Sequence, residues 1–123
     1  MAIKYRKHEL HPESILIRDF DGEVSTNEII ESWEYLISEN LINDSTKGVI
    51  NNISGCALLM DMEGFKVVLN YMKQQDILKK VKLAVICDDP KTIVFPALGE
   101  RTENELRIKP FSTMNAAVNW VLD

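Results

Sequence analysis

Several things are scarce in this 123-residue sequence. There are two cysteines, Cys56 and Cys87, and two histidines, His8 and His11. No apolar run approaches the roughly 20 residues that span a bilayer. The N-terminal stretch 1–14 is charged with no apolar run behind it, so it does not read as a secretory signal. Without such a signal, reduced thiols and a cytoplasmic location are the expectations. The formal net charge of -5 lacks the basic excess of a general nucleic-acid binder. Gly48, Gly55 and Gly64 are too scattered for a glycine-rich phosphate loop. Internal repeats, low-complexity segments and linkers are absent.

What is present is the composition of an ordinary globular protein, 46% apolar and 27% charged, in one domain over residues 1–123. Ile3 and Tyr5 alternate with Lys4 and Arg6, as in a half-buried edge strand. His11-Pro12-Glu13 reads as a turn, and the isoleucine-rich run 14–20 as a second strand, so the two form an antiparallel hairpin. Asp21-Gly22 ends it. Ser25 with Glu28 three residues on is a capping box. Ile29, Ile30, Trp33, Leu36 and Ile37 then form one apolar helical stripe, predicting a helix over 26–39.

After a polar loop at 43–46, residues 48–53 read as a central strand with Asn51 and Asn52 near its end. A helix is expected from Asp61 or Glu63 to Gln75, burying Phe65, Val68, Leu69 and Met72. Leu83 to Cys87 is a short continuous apolar run, which suits a strand covered on both faces. Asp88-Asp89-Pro90 reads as an N-cap followed by proline at the first helical position. The helix 91–103 should be kinked or split by Pro96. A last strand at 106–109 and a helix capped by Ser112 or Thr113 close the chain. The pattern predicts an α/β sandwich with a mixed, mostly parallel sheet of about five strands and four helices.

Few residues point to catalysis. His8-x-x-His11 could hold one edge of a metal site but lacks further ligands nearby, and a solvated turn is the simpler reading. Neither histidine is near an obvious nucleophile. Asp88-Asp89 beside Cys87 opposes thiolate formation, so both cysteines read as small buried hydrophobes. Asp61, Asp88 and Asp89 could meet at neighbouring strand ends around a cation; a helix cap plus a solvated acid is the simpler account. Lys79, Lys80 and Lys82 read as a solvated helix end rather than a binding patch. Leu58-Leu59-Met60 stands apart. Three apolar residues in an expected loop could fill the core, line a pocket or dock another chain.

The stretch Asn52-Ile53-Ser54-Gly55, an apolar bridge, then Asp61-Met62-Glu63-Gly64-Phe65 resembles the signature of STAS domains. There a strand ends in Asp-Leu-Ser-Gly and Asp-Ser-Ser-Gly-Leu opens a helix. The whole of 14–122 is similar to the SpoIIAA-like (STAS/SEC14-like) branch. Gly22 before the capped helix, the strand Leu83-Ala84-Val85-Ile86, and Phe111 followed by Ala117-Val118-Asn119-Trp120-Val121 carry that likeness. The resemblance implies a non-catalytic binding or regulatory domain related to anti-sigma factor antagonists. The serine phosphorylated in signalling members is replaced, since Met62 and Glu63 have no hydroxyl. Glu63 could imitate a fixed charge, but an acid well placed in a first helical turn is the simpler reading.

The resemblance also implies the expected surface: Leu58, Leu59, Met60, Asp61, Met62, Glu63, Gly64 and Phe65. Its occupant is either a protein partner, including a second copy in a homodimer, or a small apolar ligand. The second expectation follows from the family's likeness to CRAL-TRIO lipid-transfer domains and requires a cavity near Leu58, Met60 and Phe65. Neither a metal nor a cofactor is expected.

Overall fold

The computed structural model describes residues 2–102 and 104–123. Five strands form the main sheet: β1 (Ile3–Lys7), β2 (Ile15–Phe20), β4 (Gly48–Asn52), β6 (Lys82–Ile86) and β7 (Arg107–Phe111), in spatial order β1-β2-β4-β6-β7. Two short strands, β3 (Gly22–Ser25) and β5 (Cys56–Leu59), pair as a separate parallel ribbon. The helices are α1 (Thr26–Ser38), α2 (Met62–Lys73), α3 (Asp76–Lys79), α4 (Pro90–Thr102) and α5 (Met114–Leu122). No helix among the described residues is long and apolar enough to cross a membrane.

The β1–β2 pair is antiparallel and the other main-sheet pairs are parallel. The expected hairpin and the charged edge strand are both present. Arg6 on β1 reaches Asp19 across the pair at 2.7 Å. The element count is larger than the sequence pattern indicates. Residues 56–59, expected as loop, are a strand because their backbone pairs with residues 22–25. That partner lies more than thirty positions earlier, so no local pattern announces the pairing.

Period-2 alternation divides the central strands between two cores. Leu16, Phe20, Val49, Leu83 and Ile108 pack with α1 and α2 residues into the larger core. Ile15, Ile17, Ile50, Ala84 and Ile86 pack with Ala117 and Val121 of α5 into the smaller. β2, β4 and β6 are therefore buried on both faces, as their continuous apolar sequences require.

Local signals fix the helix starts. Ser25 Oγ accepts from the Glu28 N–H and Glu28 Oε1 accepts from the Ser25 N–H, at 3.2 and 3.0 Å. This is the capping box expected there. Thr113 rather than Ser112 caps α5, accepting from the Ala116 N–H at 3.2 Å. At α4, Asp89 Oδ1 accepts from the Lys91 N–H at 2.9 Å, one residue before Pro90 opens the helix. Pro96 does not split α4, which runs continuously from Pro90 to Thr102. The predicted end of this helix, Glu103, lies outside the described residues.

Candidate functional site

The expected surface begins in β5 and ends in the first turns of α2. Asp61 caps α2, its Oδ1 accepting from the Gly64 N–H at 2.8 Å. Glu63 is exposed beside the positive end of the helix dipole and lies 3.7 Å from Lys66. Gly64 is required by a close approach. A Cβ there would sit 2.5 Å from Thr26 Oγ1, so its absence lets α2 start against the first residue of α1.

The eight residues do not form one surface. Leu59 is 55% exposed and Met62 38%, and with Asp61 and Glu63 they face outward. Leu58, Met60 and Phe65 turn inward and line a cavity of about 90 Å³. Alternation in β5, carried one residue past its end to Met60, causes the division, since successive side chains of an extended chain point to opposite sides. The cavity lies between the sheet, on the side of Phe20, Leu83 and Ile108, and the helices α1, α2 and α4. Phe95 and Pro96 of α4 form part of its wall, and the Phe65 and Phe95 rings meet at 5.2 Å. Its lining is apolar except for Arg18 and Asn51.

Arg18 is the unexpected member. It lies in β2 between Leu16 and Phe20, with the same facing, and is 2% exposed. Its guanidinium stacks on Trp33 of α1 at 3.7 Å from the ring centre and lies 5.0 Å from the Phe20 ring. Nε donates to Asn51 Oδ1 at 2.7 Å, and Nη1 donates to Ser32 Oγ at 3.0 Å. Ser32 Oγ also accepts from the Tyr5 hydroxyl at 2.9 Å, and Asn51 Nδ2 donates to the Ala84 carbonyl at 2.9 Å. A polar thread thus crosses the apolar layer from β1 to β6.

No carboxylate among the described residues pairs with this arginine. Burying an unpaired charge costs several kcal/mol. Hydrogen bonds to a charged group return about 1.5–3 kcal/mol each, and a desolvated cation–π contact about 2. The guanidinium is therefore held, but its charge is not neutralised. Burial pushes its pKa down from the ordinary guanidinium value to about 9, so it remains a cation at neutral pH. Trp33, which lines the same cavity, has a buried indole N–H with no acceptor among the described residues.

Other sequence candidates lie elsewhere. The His8 and His11 rings sit 5.3 Å apart in the turn before β2, and His8 Nδ1 accepts from the Leu10 N–H at 3.2 Å. Asp61 and Asp89 are occupied as helix caps, and no group of three metal-ligating side chains forms among the described residues. Both cysteines are free, and burial raises both thiol pKa values, with Asp21 adding to the effect at Cys56 and Asp88 at Cys87. Sequence reasoning missed Arg18 and the part Asn51 plays beside it. The available signal was parity: a charge two residues from Leu16 and two from Phe20, inside an isoleucine-rich strand.

This geometry and topology have solved counterparts. The anti-sigma factor antagonist SpoIIAA in its unphosphorylated form aligns over 98% of both chains, with TM-score 0.60 and 14% identity. This is the SpoIIAA-like fold. An uncharacterised protein of the DUF3478 family from Shewanella loihica, itself described as SpoIIAA-like, aligns over 98% of this chain and 92% of its own, with TM-score 0.59 and 14% identity. No family model matches the sequence. No curated protein matches it either.

Proposed function

We propose that this chain is a non-catalytic binding domain whose cavity beneath α2 and α4 takes a small apolar ligand. The cavity itself carries the reading: about 90 Å³ of space lined by Leu58, Met60, Phe65 and other apolar side chains. Apolar cavities of this kind stay dry and bind small hydrocarbons. At about 90 Å³, smaller than the roughly 150 Å³ of an engineered cavity that binds benzene, the space suits a short chain, and a full-length lipid tail would require α4 to move outward. A cytoplasmic location accompanies this reading.

The test is titration of the 15N-labelled chain with 1-hexanol. Saturable shifts at the Trp33 indole and at the amides of residues 58–69 are expected. Shifts that rise linearly with alcohol and scatter over the surface would refute the pocket as a site.

A second reading places a protein partner, or a second copy, on the outward half of the same segment. The exposed Leu59 and Met62 favour it, with Met62 and Glu63 standing where the STAS resemblance places the two serines of Asp-Ser-Ser-Gly. SpoIIAA, an anti-sigma factor antagonist, supports a regulatory role by its shared fold. Met62→Arg should weaken such an association without altering hexanol binding, and unchanged association in that variant would count against it.

A further inference from the structure

Arg18 has more hydrogen-bonding capacity than the protein uses. A guanidinium carries five N–H donors in a planar fork. One, on Nε, goes to Asn51, and one, on Nη1, goes to Ser32. Five less two leaves three donors, one on Nη1 and two on Nη2, with no acceptor among the described residues. A carboxylate that takes one N–H from each Nη nitrogen is bound bidentately. The side chain is buried and borders the cavity, and the orphan indole N–H belongs to Trp33, the ring stacked on the same guanidinium.

A structural explanation alone does not account for these features. An arginine kept only for packing would carry its charge to solvent along an apolar stem. Here the stem leads inward, and the head is fixed by Asn51, which is in register with it on the neighbouring strand. The cavity's surface is almost wholly apolar, with the Arg18 side chain bordering it on the sheet side and Leu58, Met60, Phe65 and Phe95 away from the sheet.

We infer that the cavity is specific for a small amphiphilic anion, a short-chain monocarboxylate whose carboxylate meets Arg18 and whose apolar body lies against Phe65. This inference rests on the pocket reading above and names the chemical class of its ligand. Asn51 and Ser32 position the guanidinium, and Trp33 holds its plane from below.

The experiment is calorimetric titration of the full chain at pH 7 with hexanoate, 1-hexanol and hexylammonium, using wild type and Arg18→Met. Wild type should bind hexanoate at least about tenfold more tightly than hexanol, the margin of a charge-assisted bidentate contact. Arg18→Met should lose that margin and still bind the alcohol. Equal wild-type affinity for hexanoate and hexanol, or binding of hexylammonium as tight as that of hexanoate, overturns the anionic assignment and leaves the apolar pocket standing. This comparison needs no variant, so a folding defect in Arg18→Met does not obscure it. Failure of all three ligands to bind overturns the pocket reading and the assignment together.

Discussion

Arg18 and Asn51 face each other across the β2–β4 pair, in register, and share a 2.7 Å hydrogen bond inside an otherwise apolar layer. The pair is asymmetric. Asn51→Ala leaves a buried cation without its acceptor and should cost about 3 kcal/mol. Arg18→Met removes the charge itself and should change stability by no more than about 2 kcal/mol, although it alters a larger side chain. In urea unfolding of the two variants and the double variant, the Asn51→Ala penalty should shrink by more than about 1 kcal/mol when Arg18 is already methionine. Additive penalties would show that the contact is energetically idle.

The same buried charge sets a pH dependence. Arg18 has a folded-state pKa pushed below its unfolded value, to about 9. From about 9 up to the ordinary guanidinium value the unfolded chain therefore binds more protons at this group, and its contribution to stability rises with pH. Below that window the cost of the buried charge is present in full. Other groups titrate there too, so the useful quantity is wild-type stability minus that of Arg18→Met. From pH 7 to 9 it should be flat, then climb by up to about 1.4 kcal/mol per unit. A difference flat to pH 10.5 would mean that the guanidinium keeps its ordinary pKa.

Phe65 separates the roles of packing and binding. It is 7% exposed, pairs with Phe95, and lines the cavity. Phe65→Ala should destabilise by about 3 kcal/mol, the low end for a buried phenylalanine, because one side of the ring already meets empty space. The enlarged cavity should then accept octanoate better than wild type does. If octanoate affinity falls instead, the ring contributes to binding directly rather than only bounding the space.

Gly48 tests the opposite face of the sheet. A Cβ at this position would lie 2.5 Å from Val121 Cγ1 and 2.9 Å from the Lys82 carbonyl oxygen. The valine could adjust, but the strand backbone cannot without shifting β6. Gly48→Ala should therefore cost about 3 kcal/mol by thermal or urea unfolding, while ligand selectivity is unchanged, since α5 and the cavity lie on opposite faces. A neutral substitution would show that α5 is free to ride outward.

Much of the fold was legible because its signals are local. The Ser25–Glu28 capping box, the Asp61 cap and the Asp89-Pro90 start each lie within four residues and need no tertiary partner. Two-sided burial of β6 follows from its unbroken apolar run. The β3–β5 ribbon was not legible, because residues 22–25 and 56–59 acquire strand geometry only from each other. At Pro96 only the split is ruled out: proline penalises a helix, but packing of α4 on β7, where Gly99 lets Ile108 come close, keeps α4 continuous. The candidate surface was half legible. Its apolar residues marked the segment, but only the alternation of an unforeseen strand, carried on to the residue after it, divides Leu58 and Met60 from Leu59. Arg18 escaped because a lone charge in a strand is usually read as an exposed position, while its parity with Leu16 and Phe20 indicates burial.

The most direct measurement is a crystal structure of the protein grown with hexanoate. The predicted result is density for the chain in the cavity beside Phe65 and Met72, with both carboxylate oxygens about 2.8 Å from the Nη1–Nη2 edge of Arg18. An unoccupied cavity at saturating hexanoate, with the arginine bonded only to Asn51 and Ser32, would contradict it.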